Sequence, residues 1–420
     1  MIQHFHNARL INPEAGTDTT GSLTVADGVI VAMDDAAPEG AVLTDCGGHC
    51  LAPGIVDWGV KIGEPGERHK ESFRSAGLAA AAGGVTTIIA RPDTAPAIDT
   101  PEVLEFVTRR AAESPVRIRH MAALTKGRAG HEMTEIGFLL DAGAIAFSDV
   151  YNVSTDTKAL ARALTYARSL GALVIGHPQE PGLSAGAATT SGKFASLRGL
   201  PAVSPMAERI GLDRDLGLVE MTGARYHADQ ITTARSLPPL ERAKKNGLDV
   251  TAGVSIHHLT LNELDVGDYR TFFKLSPPLR AEADRRACIE AVRDGTIDVI
   301  CSAHDPRGPE VKRLPFADAA PGMAGAETLL PMVLSLVRDG VIDMPRAFDL
   351  MAGAPARLLG VAAGVLAAGM EADVALVDAE KPWLVDARKM EAQAGNTPFD
   401  RQPVQGRVTA LWKGGAPIAV

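Results

Sequence analysis

The chain has 420 residues, of which 46% are hydrophobic and 22% charged, so it can bury a sizeable core and is not of the disordered class. Its formal net charge of −9 and its aromatic content of 4% argue against a basic or base-stacking surface, so we expect no nucleic-acid partner. The four cysteines are too few for a disulfide scaffold in a chain of this length.

The beginning of the chain carries no recognisable targeting segment. Residues 1–16 lack a basic stretch followed by an apolar one. No uninterrupted apolar run reaches the roughly 18 residues that a membrane span needs. We therefore expect a cytoplasmic protein with no membrane partner.

Both ends of the chain are predicted to form strands. Residues 22–26 and 29–33 flank Asp27-Gly28, a pair that accepts positive φ and therefore indicates a hairpin. The strand pattern returns after about residue 360, at residues 372–377 and 407–412. We expect the two terminal segments, 1–50 and 361–420, to pair into one small β-domain.

The segment between these ends alternates apolar strands with amphipathic helical stretches such as residues 155–170. Most of the strands are nearly continuous apolar runs, as buried parallel strands are. Eight strand–helix units predict a (β/α)8 TIM barrel over residues 51–360, an α/β fold. The candidate strands are residues 51–58, 85–92, 117–124, 144–150, 172–178, 225–232, 249–255 and 298–305.

Polar residues follow most of these strands, at the end of a barrel where catalytic groups lie. The stretches that carry them also show a family resemblance: in order along the chain, they match the dihydroorotase family of the amidohydrolase superfamily. The matching stretches are APGIVDWGVKIGEPGERHKES (52–72), AAAAGGVTTIIARPDTAP (79–96), GAIAFSD (143–149), ARYHADQIT (224–232), KLSPPLRAEADR (274–285), IDVICSAHDP (297–306), PFADAAPGMAGAETLLP (315–331) and GNTPF (395–399).

The resemblance implies a set of metal ligands that this chain has largely lost. Members of the family carry His-x-His after the first strand, an acidic ligand after the fourth, a His after the fifth and sixth, and an Asp after the eighth. A gap-free alignment leaves His177 as the only retained ligand position, with Asp149 beside the lost acidic one. The other ligand positions hold Gly59, Lys61, Val150, Gln230 and Ala303.

These replacements disfavour the binding of a divalent cation. Zinc in a catalytic site needs at least three protein ligands, and one imidazole does not supply them. Lys61 adds a positive charge, and we expect its ammonium to fill the vacant metal position. We expect no cofactor in this reading, and zinc only if the chain is an active enzyme.

The resemblance also implies substrate-binding positions, and these have changed. The groups that grip dihydroorotate in the family correspond here to Gly63, Asp93, Ser276 and Arg307. The loss of an Arg and the gain of an Asp disfavour a carboxylate ligand. We therefore expect a vestigial pocket that binds the family's ligand poorly.

Other polar residues have competing interpretations. His304, Asp305, His227 and Asp149 could form a rearranged site, but a hydrogen-bonded polar floor is the favoured explanation. His257 and His258 are expected on a strand, with structural roles rather than roles as ligands.

Three functional hypotheses follow. The first, which we favour, is a non-catalytic homologue that acts as a structural or regulatory subunit, because some bacteria pair such chains with aspartate transcarbamoylase; self-association is the other expected partnership. The second is an active cyclic amidohydrolase with a rearranged metal site, converting dihydroorotate to N-carbamoyl-aspartate in pyrimidine biosynthesis. The third is a small-molecule sensor whose pocket is lined by Arg91, Asp93, Lys61 and Arg307.

Overall fold

The computed structural model describes residues 1–419, which form a mixed α/β fold of 17 strands with helices between them. The strands are β1 (Ile2–Asn12), β2 (Thr17–Ala26), β3 (Val29–Met33), β4 (Val42–Asp45), β5 (Cys50–Pro53), β6 (Ile55–Val60), β7 (Val85–Ala90), β8 (Arg117–His120), β9 (Leu173–Gly176), β10 (Thr189–Thr190), β11 (Ala202–Val203), β12 (Arg225–Ala228), β13 (Val250–Ser255), β14 (Val299–Cys301), β15 (Val374–Leu384), β16 (Pro403–Lys413) and β17 (Ala416–Ile418). The α-helices are α1 (Phe73–Ala82), α2 (Pro101–Ala111), α3 (Ile136–Asp141), α4 (Thr157–Ser169), α5 (Pro181–Ser184), α6 (Lys193–Arg198), α7 (Met206–Thr222), α8 (Leu237–Lys245), α9 (Ile256–Thr260), α10 (Glu282–Asp294), α11 (Pro309–Lys312), α12 (Leu329–Arg338), α13 (Met344–Phe348) and α14 (Ala354–Leu359). Short 3-10 turns lie at 126–128, 234–236, 263–266 and 271–273, and a π-helical turn at 349–353 joins α13 to α14.

The two ends of the chain share one sheet, as predicted. Its strand order is β17-β16-β15-β5-β1-β2-β3, with β4 parallel to β1. The hairpin between β2 and β3 turns at Asp27 and Gly28, whose φ angles are 48° and 83°. The boundaries at residues 50 and 361 remain predictions, although β5 and β15 pair directly within this sheet.

The parallel strands in the middle of the chain form the barrel. Strands β6, β7 and β8 make one group, and β9, β12, β13 and β14 make another. Phe147 joins the groups through bridges to Ala122 and Val174. On the opposite side, the amide of Lys61 donates to the carbonyl of His304 at 2.8 Å. The (β/α)8 architecture is therefore confirmed, with the fourth strand reduced from the predicted 144–150 to a bridge at Phe147.

The strands and helices of the barrel form where the spacing of apolar side chains along the sequence fits the faces that a strand or a helix buries. All six residues of β7 are buried, as expected for a strand covered on both faces. Helix α4 buries Leu160, Ala163, Leu164 and Ala167 on one face, and Asp156 caps its first turn by accepting from the amide of Ala159.

Two further local predictions need correction. The first predicted strand divides, because Cys50–Pro53 joins the terminal sheet and the barrel strand begins at Ile55. His257 and His258 lie in the short helix α9 rather than on a strand, because β13 ends at Ser255.

Across residues 1–419, no helix is both long and apolar enough to span a membrane.

Candidate functional site

The carboxyl ends of the barrel strands surround a cavity of about 20 Å³. This volume accommodates roughly one water molecule, whereas ligand pockets commonly have volumes of about 300–1,000 Å³. The structure brings together five of the predicted site residues here: Gly59, Val150, His177, Gln230 and Ala303. The other residues in the wall are Arg91, Met121, Ser148, Tyr151, Ile175, Gly176 and Asp229.

Four of these residues share an unusual backbone conformation. Gly59, Val150, Gln230 and Ala303 have φ angles of 73°, 56°, 58° and 45°. Glycine adopts this left-handed region freely, but other L-residues do so at a cost of about 1–2 kcal/mol each. The backbone is therefore strained at Val150, Gln230 and Ala303, three of the positions that the resemblance aligns with the family's metal ligands.

The cation in the cavity wall is Arg91, which is 5% exposed. Its guanidinium donates to both carboxylate oxygens of Asp93, at 3.1 and 2.6 Å, to the hydroxyl of Tyr151 at 3.1 Å and to Asp305 at 3.3 Å. Arg307 donates to the same oxygen of Asp305 at 2.9 Å. Although burial opposes ionisation of Asp93, the charges of Arg91 and Lys61 outweigh it and hold the pKa of that carboxyl far below its usual range.

The Lys61 ammonium binds Asp93 instead of lining the cavity. Its Nζ lies 3.2 Å from a carboxylate oxygen of Asp93, donates to the Asp93 carbonyl and approaches Glu67 at 4.0 Å. Burial lowers the pKa of Lys61, and Asp93 partly opposes that shift. The expectation that Lys61 fills the metal position is therefore wrong: the cation in the cavity wall is Arg91.

Asp149 and His177 line a common cavity beside the strand ends, but they make different contacts. Asp149 accepts from the amides of Leu124 and Thr125, at 3.1 and 3.0 Å, and from the Thr125 hydroxyl at 2.6 Å. His177 instead packs edge-on against the Tyr151 ring, with 5.1 Å between ring centroids, and its Nδ1 has no hydrogen-bond partner. Burial lowers the pKa of His177 to about 3, so the imidazole is neutral at physiological pH.

The rearranged site considered for His304, Asp305, His227 and Asp149 does not form. His304 accepts from the amides of residues 325 and 326 through Nδ1, both at 3.2 Å, and its Nε2 lies 3.4 Å from Glu71. His227 hydrogen-bonds Thr251 at 2.8 Å. Each group thus belongs to a separate network, as the polar-floor explanation requires.

The positions that the resemblance assigns to substrate binding do not line the cavity at the strand ends. Gly63 packs against the backbone of the following loop, where a Cβ would be 2.3 Å from the carbonyl of Glu67. Asp93 and Arg307 belong to the ion-pair network around Arg91. Ser276 borders two other cavities, one of which shares Gln230 and Ala303 with the cavity at the strand ends. The four residues that the sensor hypothesis assigns to the pocket bind one another or the carboxylate of Asp305.

The donor set does not fit the divalent metal that the family resemblance implies. Gly59, Val150 and Ala303 offer no side-chain donor, and the Gln230 amide nitrogen is directed at Cys301 Sγ, 3.4 Å away. In the described residues, no three His, Cys, Asp or Glu side chains converge in a metal-binding group. The Arg91 guanidinium in the wall is not a metal ligand, and it engages the carboxylates of Asp93 and Asp305.

Sequence reasoning missed two members of the cavity wall. The Tyr151 hydroxyl accepts a hydrogen bond from Arg91, and Asp229 presents a buried Oδ1 without a partner. Burial raises the pKa of Asp229 to about 6, while the Arg91 charge acts in the opposite direction. The signal that could have identified Asp229 is a charged residue at the end of an otherwise apolar strand, as Arg91 also is.

The barrel, the shared terminal sheet and the position of the cavity define an amidohydrolase-type TIM barrel. L-hydantoinase (dihydropyrimidinase) from Arthrobacter aurescens has the same fold, with a TM-score of 0.90, 24% identity, and coverage of 100% of this chain and 96% of that one. The dihydro-orotase-like family matches residues 48–236. The chain belongs to this family.

Full-length relatives support the assignment. The dihydroorotase of Anaeromyxobacter dehalogenans is 36% identical over 419 residues, covering 99% of this chain and 97% of the relative. A dihydroorotase-like protein of Pseudomonas aeruginosa is 37% identical over 412 residues, covering 97% of each.

Proposed function

We propose that this chain is a non-catalytic member of the dihydroorotase family and acts as a structural or regulatory subunit. The observation that carries the proposal is the pairing of Arg91 with Asp93 and Asp305 at the carboxyl ends of the strands. The network supports the proposal because a charge-paired arginine, which is not a metal ligand, lies next to positions that the resemblance aligns with the family's metal ligands. The cavity that remains has about 20 Å³ of space, too little for a ring-shaped substrate.

The chemistry of amide hydrolysis supports the same proposal. At neutral pH the reaction needs an activated water and a base that accepts its proton. Ala303 stands where the family has the Asp that moves the proton, and Asp149 is engaged by three donors. Among the described residues, Asp229 is the one carboxyl in the cavity wall, and burial raises its pKa to about 6, but its buried Oδ1 has no hydrogen-bond partner.

The test combines metal content with turnover. The chain is purified without chelator or added metal, its metal is measured by elemental analysis, and dihydroorotate hydrolysis is assayed with and without zinc. The Anaeromyxobacter dehalogenans dihydroorotase, prepared in parallel, is the positive control. A metal ratio near zero with no turnover supports the proposal, whereas one or two metals per chain with turnover overturns it.

The partner is a separate part of the proposal. The resemblance points to aspartate transcarbamoylase, and an assembly with it would be stabilised by an apolar face. Phe138 on α3 is 65% exposed, and Leu170 and Phe106 on neighbouring elements are 40% and 39% exposed. Co-purification of the two proteins and its loss in Phe138→Glu test this part, with Leu384→Glu, at another exposed apolar position, as the control.

A second candidate is an active, metal-dependent cyclic amidohydrolase of the dihydroorotase type. The full-length identity to a protein named dihydroorotase favours it. This candidate requires the strand ends to rearrange so that His177 and Asp149 reach a common ion. Its signature in the same experiment is stoichiometric metal together with turnover.

A further inference from the structure

A cavity of about 360 Å³ lies between the barrel and the terminal sheet. Its walls come from the end of α1, the start of α12, β15, β16 and residues 385–402, which we call the connecting segment because they join β15 to β16. The cavity shares no residue with the one at the strand ends, and none of its walls is a position that the resemblance assigns to metal or substrate. Its volume lies within the range of about 300–1,000 Å³ that is common for ligand pockets.

Hydrogen bonds hold the walls of this cavity in place. Glu327, which precedes α12, accepts from the amides of Glu391 and Ala392 at 2.8 and 3.2 Å and so ties the connecting segment to the barrel. Trp383 Nε1 donates to the carbonyl of Gly406 at 2.9 Å, which fixes the indole against β16. The cavity is therefore preformed, and a ligand does not need to order its walls on binding.

Much of the wall is apolar. Leu330 and Pro331 of α12 and Val408 of β16 contribute aliphatic surface, and Met390 and Trp383 add a thioether and an aromatic ring. A flat hydrocarbon body that enters the cavity would remove this surface from water, which is favourable.

Two cations complete the wall. The guanidinium carbon of Arg407 lies 5.3 Å from the centroid of the Trp383 ring, so this charge is held against the indole. Neither Arg407 nor Lys389 forms an ion pair within residues 1–419. Asp386, which also lines the cavity, does not compensate them, because Arg388 donates to both of its carboxylate oxygens at 3.0 Å.

Glu327 is the other carboxyl that lines the cavity. Burial raises its pKa to about 7, although the amides of Glu391 and Ala392 act in the opposite direction. Much of its negative charge is therefore absent at neutral pH, and the wall as a whole is positive. The planar fork of the Arg407 guanidinium matches a carboxylate, which it can bind at two points.

We infer that this cavity binds a small organic anion in which a carboxylate is attached to a flat ring. The carboxylate pairs with Arg407 and Lys389, and the ring packs against Leu330 and Val408. The inference goes beyond the proposed function and does not depend on it, because the cavity lies apart from the strand ends. A bound ligand would contact both the barrel and the terminal sheet and would stabilise their association.

Two probes of nearly the same shape test the inference: indole-3-acetate and indole-3-acetamide, which differ by one negative charge. Isothermal titration calorimetry of the full chain at pH 7 measures both affinities, and inorganic phosphate is the third probe. We expect saturable 1:1 binding of indole-3-acetate with a Kd below about 1 mM. The amide should bind at least about tenfold more weakly because it lacks the charge-assisted hydrogen bonds, and phosphate should do so because it lacks the ring.

Variants locate the binding site. Arg407→Met together with Lys389→Met removes both cations and should weaken indole-3-acetate binding at least about tenfold. Lys158→Met together with Arg162→Met removes the same charge from α4 and should leave the affinity unchanged; all four side chains are exposed, so neither pair of changes disturbs the core. Ala82→Phe keeps both cations but fills the cavity, and it should also weaken binding.

Several outcomes overturn the inference. Indole-3-acetamide or inorganic phosphate could bind as tightly as indole-3-acetate, or indole-3-acetate could fail to saturate the protein up to a concentration of about 10 mM. An equal loss of affinity in the α4 control would show a general charge effect, and unchanged affinity in Ala82→Phe would place the ligand elsewhere. Either of these results removes the support for a site in this cavity.

Discussion

Arg91 and Asp93 are two residues apart at the end of β7, and the guanidinium of the first donates to both carboxylate oxygens of the second. This two-point contact is a strong form of ion pair because the planar fork of arginine matches a carboxylate. Asp305 and Tyr151 complete the arrangement around the same guanidinium, so the charges at the end of β7 are linked to the loop after β14.

Removal of Arg91 should destabilise the protein strongly. In Arg91→Met, the carboxylates of Asp93 and Asp305 lose their common partner inside the barrel, and we expect a loss of about 3–5 kcal/mol in the free energy of unfolding. Urea denaturation measures this loss. Arg388→Met breaks an exposed ion pair with Asp386 and should leave the free energy of unfolding nearly unchanged. Equal stability of the two variants would show that the Arg91 network contributes little.

Asp229 should make stability fall as the pH rises. Burial raises its folded-state pKa to about 6, above the ordinary value of 3.8. A raised carboxyl pKa means that the folded state binds the proton more tightly, so the favourable contribution is complete below pH 3.8 and is lost as the pH rises to about 6. Relative to wild type, Asp229→Asn should be more stable by about 3 kcal/mol at pH 8 and should lose that advantage near pH 4. A stability difference that does not change between pH 4 and 8 would refute this assignment.

The backbone at residue 150 should accept a different residue with a gain in stability. Val150 is β-branched and has a φ angle of 56°, a conformation that asparagine tolerates better. Val150→Asn should therefore raise the free energy of unfolding by about 1 kcal/mol. The matched change Val31→Asn, on the exposed strand β3, should be neutral or destabilising because strands favour valine. A lower melting temperature for Val150→Asn would mean that its side-chain contacts outweigh the strain.

Partial restoration of the family's ligand set should not restore activity. Lys61→His together with Ala303→Asp returns two ligand types, but Gly59, Val150 and Gln230 remain and Arg91 still lines the cavity. We expect neither stoichiometric zinc nor dihydroorotate turnover in this double variant. Elemental analysis and a hydrolysis assay, with wild type as the baseline, check both expectations. Appreciable turnover would show that the assignment of ligand positions is misaligned.

Much of the fold could be predicted from the sequence because buried parallel strands are continuous apolar runs. The β7 segment and the Asp27-Gly28 hairpin are examples in which local composition and tertiary position agree. The fourth strand was overestimated because residues 144–150 have the same composition but pair only at Phe147. Composition identifies a buried segment, but the number of ladder hydrogen bonds depends on its neighbours.

The candidate site was less predictable. The sequence indicates which donors are missing at residues 59, 150, 230 and 303, but not the left-handed backbone that these positions share. It also places Lys61 and Arg91 near the strand ends without saying which cation lines the cavity. That choice depends on where Asp93 lies, because its carboxylate and carbonyl bind the Lys61 ammonium. Loop geometry decides which of the two cations lines the cavity, and strand periodicity does not contain that information.

The pairing of β5 with both β1 and β15 has a consequence for biosynthesis. Strand β5 immediately precedes the first barrel strand, yet its antiparallel partner begins only at Val374, roughly 320 residues later. At ~5–20 residues per second, a ribosome takes roughly 15–60 s to cover that distance. During this interval the edge of β5 that pairs with β15 has no partner strand. The order of translation thus makes the last strands of the chain the step that closes the terminal sheet.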